Sequence, residues 1–522
     1  MKMNKLIFSL LCFFAFIQLN AQTLNLPLSN EFNLKTEFSS SKNFTNFHSN
    51  VKPFVAQDLQ FTADSISLSD TLQSSKKWIS SKNFIHLSSG NFALNINPVL
   101  HFDFLSAKTS SSSAFAGIYA DVTIGKKIAA NFTAFGGNLI APNYLDSIIT
   151  LSKAVPSIGY ATKFGKNNYA SSNLSGYVSY TPTKYFNFQL GNGKNFFGDG
   201  YRSMLLSDNA YNYPYFKITT NIWKFKYINL YTKMDDIGLS TKINSGYQKK
   251  YSSIHYLSWN VTKRFNFSIF ETIVWDSRDT LGGNGFDVNY LNPVIFFRPI
   301  EYSVGSPDNA ILGASSRFKL SKKIWLYGQI AIDEFYLKYI RAKEGWWANK
   351  QSFQLGAKWF DALWIKNLYG QIEYNYARPY TYSHGLPLQN YAHFGQPLAH
   401  PYGANFKEVV ALGSYQYKNW IPELKIVTSS IGLDTGSVNY GQNVYKSYVF
   451  RPADNGNFVG QGLNTKLLFT EFKLNYQINS AYLLRVFAGV QFRSQSNNIA
   501  STKETWLIFG LKTALFNLYR DY

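Results

Sequence analysis

Alternation of apolar and polar residues with a period of two is the feature that most constrains how this chain can fold. Between residues 368 and 376 one face is apolar or small, and the other is polar apart from Tyr369. The same pattern runs through residues 468–478 and 482–493. Such runs predict strands with two different faces. Their length of about 9–11 residues suits a membrane-spanning strand, because strands of globular proteins average about 5–6 residues.

The pattern recurs roughly 18 times along the chain, an even number of the kind that single-chain bacterial barrels have. The predicted strands are residues 91–104, 115–125, 127–136, 174–181, 185–192, 215–221, 225–236, 252–262, 265–274, 309–319, 323–333, 352–361, 367–377, 406–415, 422–432, 464–478, 482–493 and 504–516. Short turns join some neighbours, whereas long segments join others: 137–173, 275–308, 334–351, 378–405 and 433–463. We therefore predict an all-β fold, a closed antiparallel transmembrane β-barrel of roughly 18 strands with long external loops.

The composition agrees with this prediction. Aromatic residues make up 18% of the chain and charged residues 16%, where soluble domains carry about 25% charged residues. The mean hydropathy is nonetheless −0.18. Disordered chains lack aromatic residues, and helical membrane proteins need runs of about 20 apolar residues, so the sequence disfavours both classes. Tyr and Trp at strand ends are expected at the membrane–water interface.

The N-terminus predicts export to the cell outer membrane. Lys2 and Lys5 precede an apolar stretch over residues 6–19, which has the length of a signal-peptide core and is too short to span as a helix. We place cleavage after Ala21, which makes residues 1–21 a signal peptide. Cys12 lies in that peptide among large residues, which disfavours a lipid-attachment site. The mature chain then has no cysteine, and so no disulfide or thiolate metal ligand.

Residues 22–90 are rich in Ser and Asn and show little periodicity. We predict a separate segment there, on the periplasmic side or tucked into the lumen as a plug, with the barrel over residues 91–522. The chain carries a formal net charge of +21. One interpretation is an anionic partner such as lipopolysaccharide or acidic polysaccharide, and the other is Lys dispersed over loops and turns. Nucleic acid does not fit an exported chain without a nucleic-acid motif.

A glycine-rich polar stretch over residues 191–209 is the first candidate site. No Gly-Lys-Ser/Thr closes a phosphate-loop motif, so nucleotide binding is disfavoured. The favoured interpretation is a glycine-assisted turn or an inward-folded loop that Asp199, Arg202 and Asp208 hold in place.

A loop over residues 378–405 is the second candidate site. It combines Arg378 with three histidines, His384, His393 and His400, whose spacing matches no compact zinc motif. Its Tyr380, Tyr382, Tyr391 and Tyr402 offer flat rings suited to sugar stacking. We expect a loop that orders itself or contacts glycan.

The sequence contains no motif of a serine hydrolase or a zinc protease. Charged residues such as Glu373 and Arg378 lie near one another on or beside predicted strands. A carboxylate pair for glycoside hydrolysis is one interpretation of such charges. The favoured interpretation is charge pairing across a barrel lumen. We therefore predict no catalysis, cofactor or metal.

Four stretches of the chain carry a family resemblance. They run over residues 190–215, with Gly-Asn-Gly-Lys-Asn-Phe-Phe-Gly-Asp-Gly-Tyr-Arg-Ser, and over 292–309, 378–384 and 510–522. Together they resemble the Wzi-like capsule-assembly outer-membrane barrels, most of all the branch of the gliding-motility protein RemB. The resemblance implies a barrel of roughly 18 strands that helps hold surface polysaccharide without catalysis. The RemB branch implies a part in gliding. The N-terminal segment departs from the family because it shows no clear helical bundle.

Three function classes follow. The first is a monomeric binding or organising protein of surface polysaccharide or lipopolysaccharide, embedded in outer-membrane lipid, with other surface or gliding-machinery proteins as further partners. The second is a pore for solute uptake. The third, a membrane-embedded glycan- or lipid-modifying enzyme, lacks a converged catalytic set in the sequence.

Overall fold

The structure is a computed structural model that describes residues 24–56, 58, 82–107, 110–238, 246–277, 285–294 and 308–522. The predicted signal peptide, with Cys12, lies outside these residues. Within them the chain forms one closed antiparallel barrel of 18 long strands, which confirms the predicted fold. No helix in the described ranges is long and apolar enough to cross a membrane.

Consecutive strands pair as hairpins around the barrel, and the last strand closes on the first with Lys512 opposite His101. Closure pairs the backbone groups that an open sheet edge would leave exposed to lipid. The strands are β1 (Phe92–Ser106), β2 (Ser111–Ile124), β3 (Ile128–Ile140), β4 (Asn168–Tyr180), β5 (Phe186–Gly193), β6 (Tyr213–Ile222), β7 (Phe225–Asp236), β8 (Gln248–Trp259), β9 (Phe265–Asp276), β10 (Asn309–Lys319), β11 (Ile324–Glu334), β12 (Lys350–Phe360), β13 (Leu368–Ala377), β14 (Phe406–Tyr415), β15 (Trp420–Leu433), β16 (Leu463–Asn479), β17 (Leu484–Ser496) and β18 (Ser501–Lys512).

The alternation seen in the sequence separates the outer surface from the lumen. In β13 the polar face is buried inside the barrel, with Gln371, Glu373 and Asn375 all hidden from solvent. Ile372, between them, points outward and is 46% exposed. Because the outside of the barrel faces lipid, this outward apolar face is stabilising in a membrane.

The two ends of the barrel differ in their connections. Short turns join the strands at one end, here called the short-turn end. At the other, the long-loop end, long segments join most of the strands, and residues 107–110 and 497–500 are the short exceptions. In outer-membrane barrels the short turns face the periplasm and the long loops face outward. The short turns are residues 125–127, 181–185, 223–224, 260–264, 320–323, 361–367, 416–419 and 480–483.

Residues 24–56 of the N-terminal segment lie largely inside the barrel. Helix α1 (Asn30–Ser41) begins at Ser29, whose hydroxyl accepts a hydrogen bond from the backbone of Phe32. Its buried Glu37 pairs with Lys358 of β12 at 2.6 Å. Val51–Lys52 then forms a two-residue strand against the loop that follows β5. A further short strand, Ile85–Ser89, extends the sheet as a hairpin with β1 before the predicted barrel boundary at residue 91.

The C-terminus differs from the prediction. The last strand was predicted over residues 504–516. Instead β18 ends at Lys512, and residues 513–522, the C-terminal tail, fold back into the lumen. Tyr519 and Tyr522 there donate hydrogen bonds to Asp208 and Asn209 at 2.9 and 3.0 Å. Alternation alone does not separate a lipid-facing aromatic residue from one that packs inside a barrel.

Two α-helices lie in the described parts of the long loops. Helix α2 (Asn143–Ser152) connects β3 to β4, and helix α3 (Leu337–Ala342) connects β11 to β12. Helix α2 buries Tyr144, Leu145 and Ile149 against the upper lumen and ends at Lys153 in the left-handed conformation. It therefore forms a fixed wall at the mouth of the barrel.

Candidate functional site

The segment between β5 and β6, residues 194–212, crosses the lumen and is here called the inner loop. Its Phe196 and Phe197 pair with Val51–Lys52 of the N-terminal segment. Gly200 lies where the loop meets the barrel wall. A methyl group there would stand 2.5 Å from Glu373 Oε2, so the close approach requires glycine.

Arg202 of the inner loop forms the centre of a buried network, here called the lumen lock. Its guanidinium pairs with Asp521 of the C-terminal tail at 3.1 Å and with Glu408 of β14 at 3.4 Å. His400 Nε2 lies 2.8 Å from the other oxygen of Glu408, and Tyr201 donates its hydroxyl to Asp521 at 2.8 Å. Burial alone would lower the pKa of Arg202, but the two carboxylates hold it well above its usual value. The lumen lock thus joins the inner loop to the C-terminal tail and to the barrel wall at β14 through ion pairs.

The two other predicted acids of the inner loop anchor it to both termini. Asp199 accepts a hydrogen bond from the hydroxyl of Ser49 in the N-terminal segment. Asp208 accepts from Tyr519 at 2.9 Å and from Asn517 at 2.7 Å, both in the C-terminal tail. Asp199, Arg202 and Asp208 are each at most 4% exposed. These three residues therefore hold the inner loop to the N-terminal segment and to the C-terminal tail inside the lumen.

Glu373 and Arg378, which are near each other in sequence, each have other partners in the structure. The carboxylate of Glu373 accepts from the backbone N–H groups of Tyr201 and Arg202 at 2.8 and 3.1 Å, and from the hydroxyl of Tyr327 at 2.8 Å. Arg378 donates instead to main-chain carbonyls of the 335–349 loop. The inner loop thus supplies two of the donors to Glu373.

Residues 378–405, here called the His/Tyr loop, cover the inner loop from the long-loop end. Tyr380, Tyr382 and Tyr391 are each 0% exposed. Tyr382 donates its hydroxyl to the carbonyl of Met204 at 2.7 Å, and Tyr380 donates to that of Asn439 at 3.0 Å. Their rings are packed among the loops that fill the lumen, so in this structure they offer no free face to a sugar.

The three histidines of the His/Tyr loop do not converge. His400 belongs to the lumen lock, and His384 lies 5.9 Å from the ring of Tyr448. His393 accepts a hydrogen bond at Nδ1 from the backbone of Asp235 at 3.0 Å. Burial lowers the pKa of both His384 and His393 to about 4. Across the described ranges, no three His, Cys, Asp or Glu side chains are grouped to hold a metal ion.

A cleft of about 590 Å³ lies at the long-loop end, beside the predicted loops. Tyr402 is the only one of the predicted site residues among those that line it. The guanidinium of Arg493 lies 4.2 Å from the ring of Tyr144 and donates to the carbonyl of Tyr522 at 3.0 Å. We call this the external cleft; it is lined in part by Tyr144, Tyr402, Asn443, Tyr445, Arg493, Gln495, Glu504 and Tyr522.

Sequence reasoning missed the external cleft because its walls come from distant parts of the chain. They are α2, the His/Tyr loop, residues 434–462, the upper ends of β15 to β18 and the end of the C-terminal tail. Arg493 stood on the polar face of a predicted strand, which indicated that it points inward but not what it meets. Burial raises the pKa of Tyr144 to about 12, so its hydroxyl stays protonated.

A second cavity, of about 210 Å³, lies toward the short-turn end below the lumen lock. Helix α1 and the C-terminal tail form part of its wall, and ionic groups such as Glu31, Lys425 and Lys512 line it. Lys512 pairs with Glu31 at 2.7 Å. The inner loop, the His/Tyr loop and the C-terminal tail lie between this cavity and the external cleft.

Comparison by sequence gives no relative: no family model matches the chain, and a search of curated proteins finds no match. Solved structures match over most of the chain. One is Wzi, an outer-membrane protein involved in group 1 capsule assembly in Escherichia coli and described as a carbohydrate-binding β-barrel. It has a TM-score of 0.59 and 10% identity, and the match covers 94% of this chain and 99% of that one.

Two further matches are OccAB2 of Acinetobacter baumannii and OprD of Pseudomonas aeruginosa. Each has a TM-score of 0.41 and 11% identity. They cover 80% and 83% of this chain, and 97% of each matched chain. At 10% identity the likeness to Wzi is a likeness of fold. The chain has the fold of an outer-membrane β-barrel.

Proposed function

We propose that this protein is a non-catalytic outer-membrane barrel that binds or organises surface polysaccharide at its external cleft. The observation that carries the proposal is the cleft itself, a cavity of about 590 Å³ that combines tyrosine rings with amide, guanidinium and carboxylate groups. Ligand sites commonly measure about 300–1,000 Å³. Tyr445 is the partly exposed ring among those of the cleft and can stack on the apolar face of a sugar, while the polar groups bond to hydroxyls.

The position of the cleft supports the same function. It lies at the long-loop end, where an outer-membrane barrel meets the cell exterior. The structural neighbour Wzi is described as binding carbohydrate, although its 10% identity to this chain carries the fold alone. We further propose export through the signal peptide at residues 1–21. The part in gliding that the RemB resemblance implies is also a proposal.

The second candidate is a pore for solutes. Barrels of 16–18 strands are wide enough to leave an aqueous channel. The 210 Å³ cavity with ionic walls and the external cleft would form the two vestibules of such a path. The buried ion pairs of the lumen lock argue for the binding function, because a path between the vestibules would have to break them.

A binding assay with paired variants tests the proposal. Purified protein in detergent is titrated with polysaccharide from the surface of its own cells, and binding is followed by calorimetry. Tyr445→Ala and Glu504→Gln remove a ring and a charge from the cleft, whereas Tyr417→Ala removes an exposed ring at the short-turn end. We expect at least tenfold weaker binding for the cleft variants and no change for the control. Equal binding by all four proteins would contradict the proposal.

A deletion strain then addresses the role in the cell. Loss of the protein is expected to reduce retained surface polysaccharide, and the gliding proposal adds reduced spreading on a surface. Normal polysaccharide and normal spreading would contradict both proposals. Reduced polysaccharide with normal spreading would remove the gliding part alone.

A further inference from the structure

The short turns of the barrel are strongly basic. Of their 34 residues, ten are Lys or Arg and only Asp361 is acidic, whereas the whole chain has 51 Lys and Arg in 522 residues. Seven of the eight turns carry at least one basic residue. We call these residues the basic rim: Lys126, Lys127, Lys184, Lys224, Lys263, Arg264, Lys322, Lys323, Lys366 and Lys418.

The rim is not the product of a uniform excess of charge. In the described parts of the connections at the long-loop end, eleven Lys or Arg stand against eight Asp or Glu. The chain therefore concentrates unbalanced positive charge at the end that faces the periplasm. Part of the excess positive charge is thus concentrated in these turns.

The basic groups of the rim are available to a partner. Nine of the ten are exposed, and Lys224 is half-buried. None of the ten forms an ion pair with any described residue of the chain. The single acid of the turns, Asp361, accepts from the backbone of Asn367 at 2.7 Å and thus serves its own turn.

Exposed aromatic rings accompany the charges. Trp364 is 88% exposed, Trp223 76% and Tyr417 55%. The ammonium groups of Lys224 and Lys418 lie 5.1 and 5.5 Å from the ring centres of Trp223 and Tyr417. Tryptophan and tyrosine favour the membrane interface, where the ring lies among headgroups. Lysine beside such a ring stands at the depth of lipid phosphates.

We propose that the basic rim binds the phosphate groups of anionic phospholipids in the membrane leaflet at the short-turn end. Clusters of basic residues beside a membrane attract anionic lipid through its surface potential. Seven of the eight turns around the barrel present one or two cations to the surrounding lipids, and several of these turns also present an aromatic ring. A soluble acidic protein would fit the charge but would leave the exposed rings without a partner. The inference does not depend on the polysaccharide function.

Lipid retention by matched variants tests this inference. Protein is reconstituted in vesicles of phosphatidylglycerol and phosphatidylethanolamine, extracted in mild detergent, and its retained lipids are quantified against the bulk ratio. The rim variant carries Lys126→Gln, Lys127→Gln, Lys322→Gln and Lys323→Gln. The control carries Lys166→Gln, Lys338→Gln, Arg341→Gln and Lys343→Gln at exposed positions of the long-loop end. Both lose four positive charges, so a change in net charge alone affects them equally.

We expect wild-type protein and the control to retain phosphatidylglycerol above its bulk share, and the rim variant to retain at least threefold less of that excess. No excess in wild type, an equal excess in the rim variant, or an equal loss in the control would overturn the proposal. Heat-modifiable migration on gels reports whether each variant is folded. If the rim variant does not fold, a salt titration of wild type decides, since 1 M salt shortens the screening length to about 3 Å. Loss of the excess at high salt supports the proposal, and a salt-insensitive excess overturns it.

Discussion

The guanidinium of Arg202 pairs with the carboxylate of Asp521 at 3.1 Å inside the barrel, across a separation of 319 residues in the chain. Arg202 lies on the inner loop and Asp521 in the C-terminal tail. Neither side chain is more than 3% exposed. The pair thus fastens two segments that enter the lumen from opposite ends, and it does so where water is excluded.

Removal of Arg202 is expected to destabilise strongly the packing of the inner loop and the C-terminal tail inside the barrel. Arg202→Ala leaves Asp521 and Glu408 buried without their main cation, and such a loss costs about 3–5 kcal/mol. The free energy of unfolding in urea, followed by tryptophan fluorescence, measures the effect. The double variant with Arg202→Met and Asp521→Asn, which removes both charges, is expected to recover part of the loss. If the single variant is as stable as wild type, the lock has no energetic importance.

Gly200 provides a steric test of the same region. Gly200→Ala places a methyl group 2.5 Å from Glu373 Oε2 and 2.6 Å from Gln354 Oε1, so the inner loop must shift. Overpacking of this kind costs about 1–3 kcal/mol. Gly238→Ala is the control, because its nearest neighbour would be 3.6 Å away. Equal unfolding free energies for the two variants would contradict the close approach.

Acidification is expected to loosen the His/Tyr loop. Burial lowers the pKa of His393 to about 4, below its ordinary value of 6.5, while Nδ1 accepts a hydrogen bond from the backbone of Asp235. Between pH 6.5 and 4 the unfolded state binds a proton that the folded state does not, so stability falls as the pH falls through that window. The protection of residues 378–405 against hydrogen exchange, corrected for the intrinsic exchange rate at pH 7.5 and at pH 4.5, measures the change.

His393→Gln is the control for the acid effect. Glutamine keeps an acceptor and a donor but does not titrate in this range. The variant should therefore lose less protection against exchange at pH 4.5 than wild type does. An identical acid response in both proteins would mean that another group controls the loop.

The lipid-facing surface is tested by a charge placed at mid-strand. Ile372 points outward from β13 and is 46% exposed, so Ile372→Lys puts an ammonium group against lipid. Lysine near the bilayer midplane of such barrels costs about 2–4 kcal/mol, and the cost falls near the interfaces. Ile365→Lys in the turn before β13 is the control. Folding into vesicles should be impaired only for Ile372→Lys; equal folding would place β13 outside the membrane.

The strands could be predicted from the sequence, but the lumen could not. Alternate residues of a strand lie on the same face, so the period of two in residues 368–376 can be read from neighbouring residues alone, and β13 has that pattern. The partners of Arg202 lie 206 and 319 residues away, and no local pattern encodes contacts at such separations. The same limit applies to Tyr522, whose partner Asn209 lies 313 residues away in the chain.

The two candidate loops could be located from the sequence, but their contacts could not, because those contacts join residues that are distant in the chain. The acids and Arg202 in the glycine-rich stretch indicated an inward loop held by charge, and the structure supplies the partners. The tyrosines of the His/Tyr loop looked suited to sugar stacking because sequence reports ring type and not exposure. The external cleft, with Tyr402 as its one predicted member, arises only when loops and tail are assembled.

Ion conductance in planar bilayers tests most directly the central claim that the lumen is closed between its two cavities and serves binding at the outer one. Inserted wild-type protein should show no steady conductance of the size an 18-stranded open pore gives. Arg202→Ala, which breaks the lumen lock, should show frequent openings under the same conditions. Steady conductance by wild-type protein, equal to that of the variant, would contradict the account and favour the pore.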